Sequence, residues 1–403
     1  MATQNQFLRH GMIPLRTFLG LLFTARILAS GQAPQPAKKP ATSHPAATSR
    51  ERLQVLNAKP LAMYYYSDDT RGLESLKAHA KQMTLVGPQC FWVDEDGVVH
   101  GEVPRQVVEA ARRARLPIMP LVINPGFDRP KVSAMLHNPK ARDRAVAYLA
   151  YLAKRDHFVG WQIDMEYIDP ADKQLFTEFM RRVAARLHRD RRLVSIAVVP
   201  RFSDEYPDTR QAEFRTGEWG APYDFRAIGR VVDFMVLMTY DHHNNASPPG
   251  PVAGYEWMKA ALDYAVTRVP RSKLMLGIPF YAREWLVTGE GTLSRSMNLS
   301  DISPLLARPG VAIQWDERWR APWFDYRQGT ELHTVWFDNS RSFREKLGLA
   351  RKYRLRGFAA WRLGSEDPSF WSVAAESYRK RQTPARRAAK PRAPAAARGR
   401  GSR

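Results

Sequence analysis

The sequence has few cysteines, few acidic side chains and no long apolar segment in its central part. Cys90 is the single cysteine of the 403 residues, so an intramolecular disulfide is excluded. Residues 86–92 read as a buried strand, which favours an inert core thiol over a reactive nucleophile. Residues 59–378 contain no run of about 20 apolar residues, so we predict no transmembrane span there.

The shortage of acids is concentrated at the two ends of the chain. The formal net charge is +22, but residues 1–58 carry seven Lys/Arg and one acid, and residues 379–403 carry ten Lys/Arg and no acid. Such basic tails are usually solvated and disordered. The alternative is attraction to an anionic cell-wall polymer or membrane surface. Because the rest of the chain is nearly ordinary in charge, we expect no specific nucleic-acid partner.

The N-terminus has the pattern of an export signal. Basic residues precede the apolar residues 18–25, and small residues follow at 29–33, although Arg26 interrupts the pattern. We therefore predict a signal peptide over residues 1–33 and export to a periplasm, the cell envelope or the medium. Residues 34–58 are rich in Pro, Ala, Ser and Thr and predict a semi-extended linker.

The central part, residues 59–378, alternates strand-like and helix-like segments. Eight short apolar runs are typical of parallel strands covered on both faces: Leu61–Tyr66, Met83–Cys90, Ile118–Ile123, Val159–Met165, Leu193–Val199, Phe234–Met238, Leu274–Pro279 and Gly357–Trp361. Amphipathic helical stretches lie between them. This order predicts an α/β fold, a (β/α)8 TIM barrel. Residues 282–336 are too long for one loop and predict a small α+β subdomain inserted between strands seven and eight.

The fourth predicted strand ends in two acids, Asp164 and Glu166. Side chains two apart on a strand point to the same side, so Gln162 shares a face with both acids. Two acids on the inner face of an apolar strand indicate acid–base chemistry, because paired acids with shifted pKa values cluster at active sites. The alternative is a solvated strand end.

Further polar and aromatic side chains follow other predicted strands. Tyr240 and Asp241 end the sixth strand, Tyr281 ends the seventh and Trp361 ends the eighth. Active sites of this fold lie at the carboxyl ends of the strands. We therefore expect these side chains to meet the two acids at one mouth, in a pocket that could bind a sugar.

The spacing of the two acids limits the chemistry. Side chains two apart on a strand are separated by about 6.6 Å along it, so they cannot flank a scissile glycosidic bond. Glu166 can be the acid, but the nucleophile must come from elsewhere, and the substrate's own 2-acetamido oxygen could serve. Asp164 and Tyr240 would orient that group, and a negative Asp164 would raise the proton affinity of Glu166.

Four motifs in the right order resemble glycoside hydrolase family 18, the chitinase-like barrels. They are Gly160–Glu166, similar to Asp-Gly-x-Asp-x-Asp-x-Glu; Met238–Asp241, similar to Met-x-Tyr-Asp; Gly277–Tyr281; and Gly357–Asp367. Residues 247–253 and 335–339 are similar to the bacterial branch that acts on peptidoglycan, including spore-cortex enzymes. The resemblance implies hydrolysis of N-acetylglucosamine polymers.

The resemblance implies a role for each of these side chains. Glu166 takes the role of proton donor, Asp164 polarises the acetamido group, and Tyr240 and Asp241 contact the reacting sugar, with Trp361 below it. Gln162 and Tyr281 complete the expected substrate-binding set. No cofactor or metal is implied.

The pattern departs from the family signature at two positions, where Val159 and Gln162 replace aspartates. Gln162 could hydrogen-bond to Asp164 but cannot share a proton with it, so activity could be weaker or shifted in pH. A non-catalytic glycan-binding protein on the same barrel is the alternative function. His242 and His243 beside Asp241 make a poor metal chelate, since neighbours on an extended chain point apart. The tryptophans at 285, 315, 319, 323 and 336 could form either a sugar-stacking wall or the core of the insertion.

Overall fold

The structure is a computed structural model that describes residues 45–67, 69–209, 212–288 and 291–382. The predicted signal peptide lies outside the described residues, as does the basic tail beyond Gln382. Among the described helices, none has the length and apolar character needed to cross a membrane.

The described residues form helices and strands that alternate along most of the chain. The helices are α1 (Pro45–Asn57), α2 (Thr70–His79), α3 (Arg105–Ala114), α4 (Arg129–His137), α5 (Pro139–Arg155), α6 (Lys173–Arg189), α7 (Phe225–Val231), α8 (Tyr255–Ala265), α9 (Ser303–Leu306), α10 (Ser340–Lys352) and α11 (Phe370–Gln382). The strands are β1 (Leu61–Tyr66), β2 (Leu85–Val93), β3 (Val99–Gly101), β4 (Leu121–Ile123), β5 (Gly160–Asp164), β6 (Leu193–Val198), β7 (Phe234–Leu237), β8 (Leu274–Pro279), β9 (Tyr281–Thr288), β10 (Gly291–Asn298), β11 (Gln314–Asp316), β12 (Ala321–Gln328), β13 (Glu331–Trp336) and β14 (Gly357–Trp361).

Eight parallel strands close into the predicted barrel. The strand order is β1-β14-β8-β7-β6-β5-β4-β2, and β1 also pairs with β2, which completes the ring. All eight predicted strands are present. The third is shorter than predicted and begins at Leu121, because Pro120 has no N–H to donate to the ladder.

Glycine allows two barrel strands to approach their neighbours. A Cβ on Gly160 would lie 2.0 Å from the carbonyl oxygen of Leu193, and one on Gly357 would lie 1.7 Å from that of Leu61. Any other residue would push these strands apart at the points where β5 and β14 begin.

A β-bulge at Cys90 interrupts β2. Gln89 pairs with Leu121 and Phe91 pairs with Val122, so β2 has one more residue than β4 between these two pairs. Phe91 packs outside the barrel against Trp161, with ring centroids 4.9 Å apart. Gln89 faces the barrel interior, as Leu85 does, and the bulge turns Phe91 to the outer core.

The insertion between the seventh and eighth barrel strands is a separate antiparallel sheet, as predicted. Its order is β10-β9-β13-β12-β11, and the short helix α9 lies between β10 and β11. None of its five tryptophans lines the cleft described below. Trp285 is fully buried and Trp323 stacks on Trp336, so these residues build the insertion and its contact with the barrel.

Two helices overlap the predicted linker and the start of the predicted tail. Residues 45–57 of the predicted semi-extended linker form α1, since Pro45 suits a first helical turn and the following Ala, Arg, Glu and Leu favour helix. Val55 is completely buried and packs with Leu61 and Val159 where the barrel strands begin. The predicted tail begins at residue 379, within α11, which continues to Gln382.

Candidate active site

An open cleft of about 2140 Å³ lies at the carboxyl ends of the barrel strands. Six of the seven predicted site residues line it: Asp164, Glu166, Tyr240, Asp241, Tyr281 and Trp361. They come from four barrel strands and the loops that follow them. The predicted convergence at one mouth is therefore present.

Asp164 is the last residue of β5, and Glu166 lies two residues beyond it. Asp164 is 4% exposed, and its Oδ1 atom is buried with no hydrogen-bond partner among the described residues. Burial raises the pKa of Asp164 to about 6. Burial, together with the charges of Asp164 and Asp241, raises the pKa of Glu166 well above its ordinary value. A carboxyl in this state can hold a proton near neutral pH and donate it.

Gln162 lies beneath the cleft instead of in its wall. It is completely buried, and its Nε2 donates to the Tyr65 hydroxyl at 2.6 Å while its Oε1 accepts from Ser195 Oγ at 3.1 Å. These two bonds satisfy the amide away from Asp164. The amide of Gln162 is thus held in the barrel interior, and it does not line the cleft in which we expected it to contact substrate.

A different glutamine contacts Asp164. Gln89 of β2 donates from Nε2 to Asp164 Oδ2 at 3.4 Å, and its side chain lines the cleft. Gln89 cannot be recognised from the sequence, because a single amide in an apolar strand has no distinguishing pattern. Its inward direction follows from alternation along β2, where Leu85 lies on the same face.

The role of Asn124 likewise cannot be recognised from the sequence. It follows β4, is 1% exposed, and its side chain holds the backbone of Glu166 from both sides. Its Oδ1 accepts from the Glu166 N–H and its Nδ2 donates to the Glu166 carbonyl, each at 2.9 Å. This pair of bonds fixes the backbone that carries the Glu166 carboxyl.

Asp241 is held on the opposite side of the cleft. It accepts hydrogen bonds from the Tyr281 hydroxyl at 2.7 Å and from Arg283 Nη2 at 3.2 Å. The rings of Tyr240 and Tyr281 meet edge to face, 6.3 Å apart. Gly277 of β8 leaves room for Tyr240, because a Cβ there would lie 3.0 Å from the tyrosine ring.

Aromatic side chains form the floor and one rim of the cleft. Trp361 ends β14 and packs against Tyr65, with ring centroids 5.5 Å apart. Tyr167 and Trp219 pack 5.0 Å apart on the rim, where 44% of Trp219 is exposed. Arg129 lies over the Tyr167 ring at 4.0 Å and pairs with Glu218. Flat apolar faces of this kind suit the faces of sugar rings.

The two histidines beside Asp241, His242 and His243, are held by contacts within the protein. His242 stacks on Trp257 at 4.8 Å and meets Trp319 edge on, and burial lowers its pKa to about 2. His243 Nδ1 lies 3.0 Å from the Pro248 carbonyl. Across the described ranges, no group of three His, Cys, Asp or Glu side chains is placed to hold a metal ion.

A parallel barrel with a carboxyl pair at its mouth and aromatic walls defines a glycosidase. The family model of glycosyl hydrolases family 18 matches residues 61–367, and the chain belongs to this family. The resemblance noted in the sequence is thus confirmed.

Relatives and solved structures agree with this assignment. The chain is 26% identical to the uncharacterized glycosylase YvbX of Bacillus subtilis (78% of this chain, 91% of YvbX). It is 28% identical to the cortical fragment-lytic enzyme of the same species (68% of this chain, 62% of that enzyme). The chain thus spans less than two thirds of that lytic enzyme. The Bacillus megaterium QM B1551 spore cortex-lytic enzyme SleL matches with a TM-score of 0.72 at 27% identity (80% of this chain, 75% of that chain). A chitinase from Chromobacterium violaceum ATCC 12472 matches with the same TM-score and identity (80% and 99%).

Proposed function

We propose that this glycosidase cleaves β-1,4 linkages of N-acetylglucosamine-containing polymers, peptidoglycan or chitin, and that it retains the anomeric configuration. The observation that carries the proposal is the position of Asp164 and Glu166 side by side at the end of one strand, where both line the cleft. Two such acids cannot flank a glycosidic bond, so the second reacting group belongs to the substrate.

The reaction then proceeds in two steps. Glu166 donates its proton to the glycosidic oxygen, the C1–O bond breaks, and the carbonyl oxygen of the 2-acetamido group bonds to C1. The free Oδ1 of Asp164 accepts the acetamido N–H, which stabilises the positive charge of the cyclic intermediate. In the second step Glu166 takes a proton from water, whose oxygen bonds to C1 as the acetamido C1–O bond breaks.

The names of the relatives support the substrate class. A spore cortex-lytic enzyme and a chitinase share this fold, and chitin is a polymer of N-acetylglucosamine. An exported protein would meet such polymers, which agrees with the predicted signal peptide. The basic tails would add attraction to anionic cell-wall polymers.

The test compares wild-type protein with Glu166→Gln on chitooligosaccharides and on purified peptidoglycan. Glu166→Gln keeps the shape of the side chain but has no proton to donate, so we expect product release to fall by at least about a hundredfold. Release of a β-anomer by the wild type, followed by NMR, checks retention.

Two results would contradict the proposal. Equal release by both proteins would remove Glu166 from the chemistry. Binding of glycans by both proteins with no release by either would identify a glycan-binding protein instead of an enzyme.

A further inference from the structure

The side-chain hydrogen bond to Asp164 comes from a residue that is distant from it in the sequence. In the linear sequence Gln162 is its obvious neighbour, since both point into the barrel from β5. In the structure the Gln162 amide is engaged by Tyr65 and Ser195. Gln89 makes the side-chain hydrogen bond that Asp164 receives, and it comes from β2, on the far side of β4.

Gln89 lies on the inner face of β2. Leu85, which shares its face with Gln89 on the same strand, points into the inner core, and the bulge at Cys90 follows directly. The Gln89 side chain therefore crosses the inner face of β4 to reach Asp164 Oδ2. Oδ1 of Asp164 is buried and without a hydrogen-bond partner among the described residues, in a side chain that lines the cleft.

We propose that Gln89 is the positioning residue of Asp164: its amide holds Oδ2 so that Oδ1 faces the substrate's acetamido N–H, and Gln162 takes no part in this. The inference rests on the proposed function for the identity of the substrate group. The hydrogen bond itself and its effect on Asp164 are independent of any substrate.

Among the described residues, four titratable side chains from the surrounding elements interact with Asp164. Glu166 lies on the same segment, and the phenols of Tyr65, Tyr223 and Tyr240 come from β1 and from the residues before α7 and after β7. Burial raises the pKa values of all three phenols, so they remain neutral. The Gln89 amide is the neighbour that favours the charged form of Asp164.

The experiment places the same change at both glutamines. Gln89→Met and Gln162→Met each replace an amide by an apolar side chain of similar length. The Asp164 carboxyl is followed by 13C NMR against pH in the full chain without substrate, and its signal is assigned by its loss in Asp164→Asn. We expect the midpoint to rise in Gln89→Met, because a donor to the carboxylate is lost, and to stay in place in Gln162→Met.

Kinetics on chitooligosaccharides give the second readout. We expect Gln89→Met to lower kcat by about tenfold with little change in KM, because a hydrogen bond to a charged group that matters in the transition state is lost. Melting curves confirm that both variants fold. If Gln89→Met does not fold, Gln89→Asn retains the amide but is shorter by one methylene, and it should move the midpoint in the same direction.

The outcomes separate this inference from the proposed function. An unmoved midpoint in the Gln89 variant, or an equal shift in Gln162→Met, overturns the inference. Absence of sugar release by wild-type protein overturns the proposed function and leaves the titration result standing.

Discussion

At the scale of single residues, the site consists of ordinary carboxyls in unusual surroundings. Asp164 and Glu166 differ from surface acids because they are buried, and Glu166 in addition lies near the negative charges of Asp164 and Asp241. Burial disfavours the charged form of a carboxyl, and a like charge nearby adds to this effect. Glu166 therefore holds its proton to a higher pH than an exposed glutamate does.

The pH dependence of the reaction should report this arrangement. Asp241 is one of the two negative charges that raise the pKa of Glu166. Asp241→Asn removes that charge, so Glu166 loses its proton at lower pH. We expect the alkaline limb of the kcat/KM profile to move to lower pH. Arg283→Gln, which leaves Asp241 without its ion pair, should move the limb the other way. An unmoved limb in both variants would exclude Glu166 as the titrating acid.

Sequence reasoning at this scale succeeded where a local pattern exists. Alternation along one strand predicts that Asp164 and Glu166 share a face, and the strand ends predict Tyr240 and Asp241. It failed for Gln89 and Gln162, because the partner of an amide is decided by strands that lie far away along the chain. Tyr65 and Ser195, which engage Gln162, come from β1 and β6.

At the scale of elements, neighbouring strand ends hold each other in place. Asn124 joins the end of β4 to the backbone beyond β5, and it does so through both of its amide atoms. The predicted strands fixed this neighbourhood correctly, since parallel strands bring their carboxyl ends to one edge. The bond itself could not be predicted, because Asn124 reads in sequence as an ordinary turn residue.

Asn124→Ala should lower kcat more than the substitution of an asparagine that contributes equally to stability but lies outside the site. Asn339 caps α10, and its side chain likewise makes two hydrogen bonds to backbone, in this case by accepting two N–H groups. Asn339→Ala is therefore a matched control that removes a similar contribution to folding. Each change should cost about 1–2 kcal/mol of stability. Only Asn124→Ala should also lower kcat, by about tenfold, because Glu166 is then no longer held in place. Equal kcat values in the two variants at 25 °C would show that Asn124 is merely structural.

At the scale of the whole molecule, the barrel has a closed end and an open end. Val55 of α1 packs into the end where the strands begin, and the cleft lies at the other. The composition of residues 34–58 predicts a semi-extended linker, whereas residues 45–57 form α1. The reason is that residues 45–57 are helical in a context that includes the barrel against which Val55 packs.

The closed end should contribute measurably to stability. Val55→Ala removes completely buried methyl groups and should lower the free energy of unfolding by about 1–3 kcal/mol. Leu53→Ala, on the same helix but at a side chain that is 54% exposed, should change it by less than about 0.5 kcal/mol. Urea unfolding of both variants checks this. Similar losses in the two would mean that α1 does not anchor the barrel through Val55.

The basic tail offers a test on intact cell walls. Deleting residues 383–403 leaves α11 complete and removes seven Lys/Arg. We expect adsorption to isolated cell walls to fall at low salt, and this difference to disappear near 0.5 M salt because the attraction is screened. Replacing the seven basic residues by glutamine keeps the length of the tail and should have the same effect. Unchanged adsorption in both variants would leave the tail without this role.

The bulge in β2 has one more consequence, which concerns the number of residues and not their identity. Side chains of a strand alternate, so every residue beyond an extra one faces the opposite way from its expected parity. Without the bulge, strict alternation over the same residues would turn the aromatic ring of Phe91 to the inner face of the barrel, beside Gln89. The polarity of this wall of the barrel mouth is therefore set by whether the count of residues in β2 is odd or even. A family alignment that places the extra residue after Phe91 would assign this ring to the wrong side of the barrel wall.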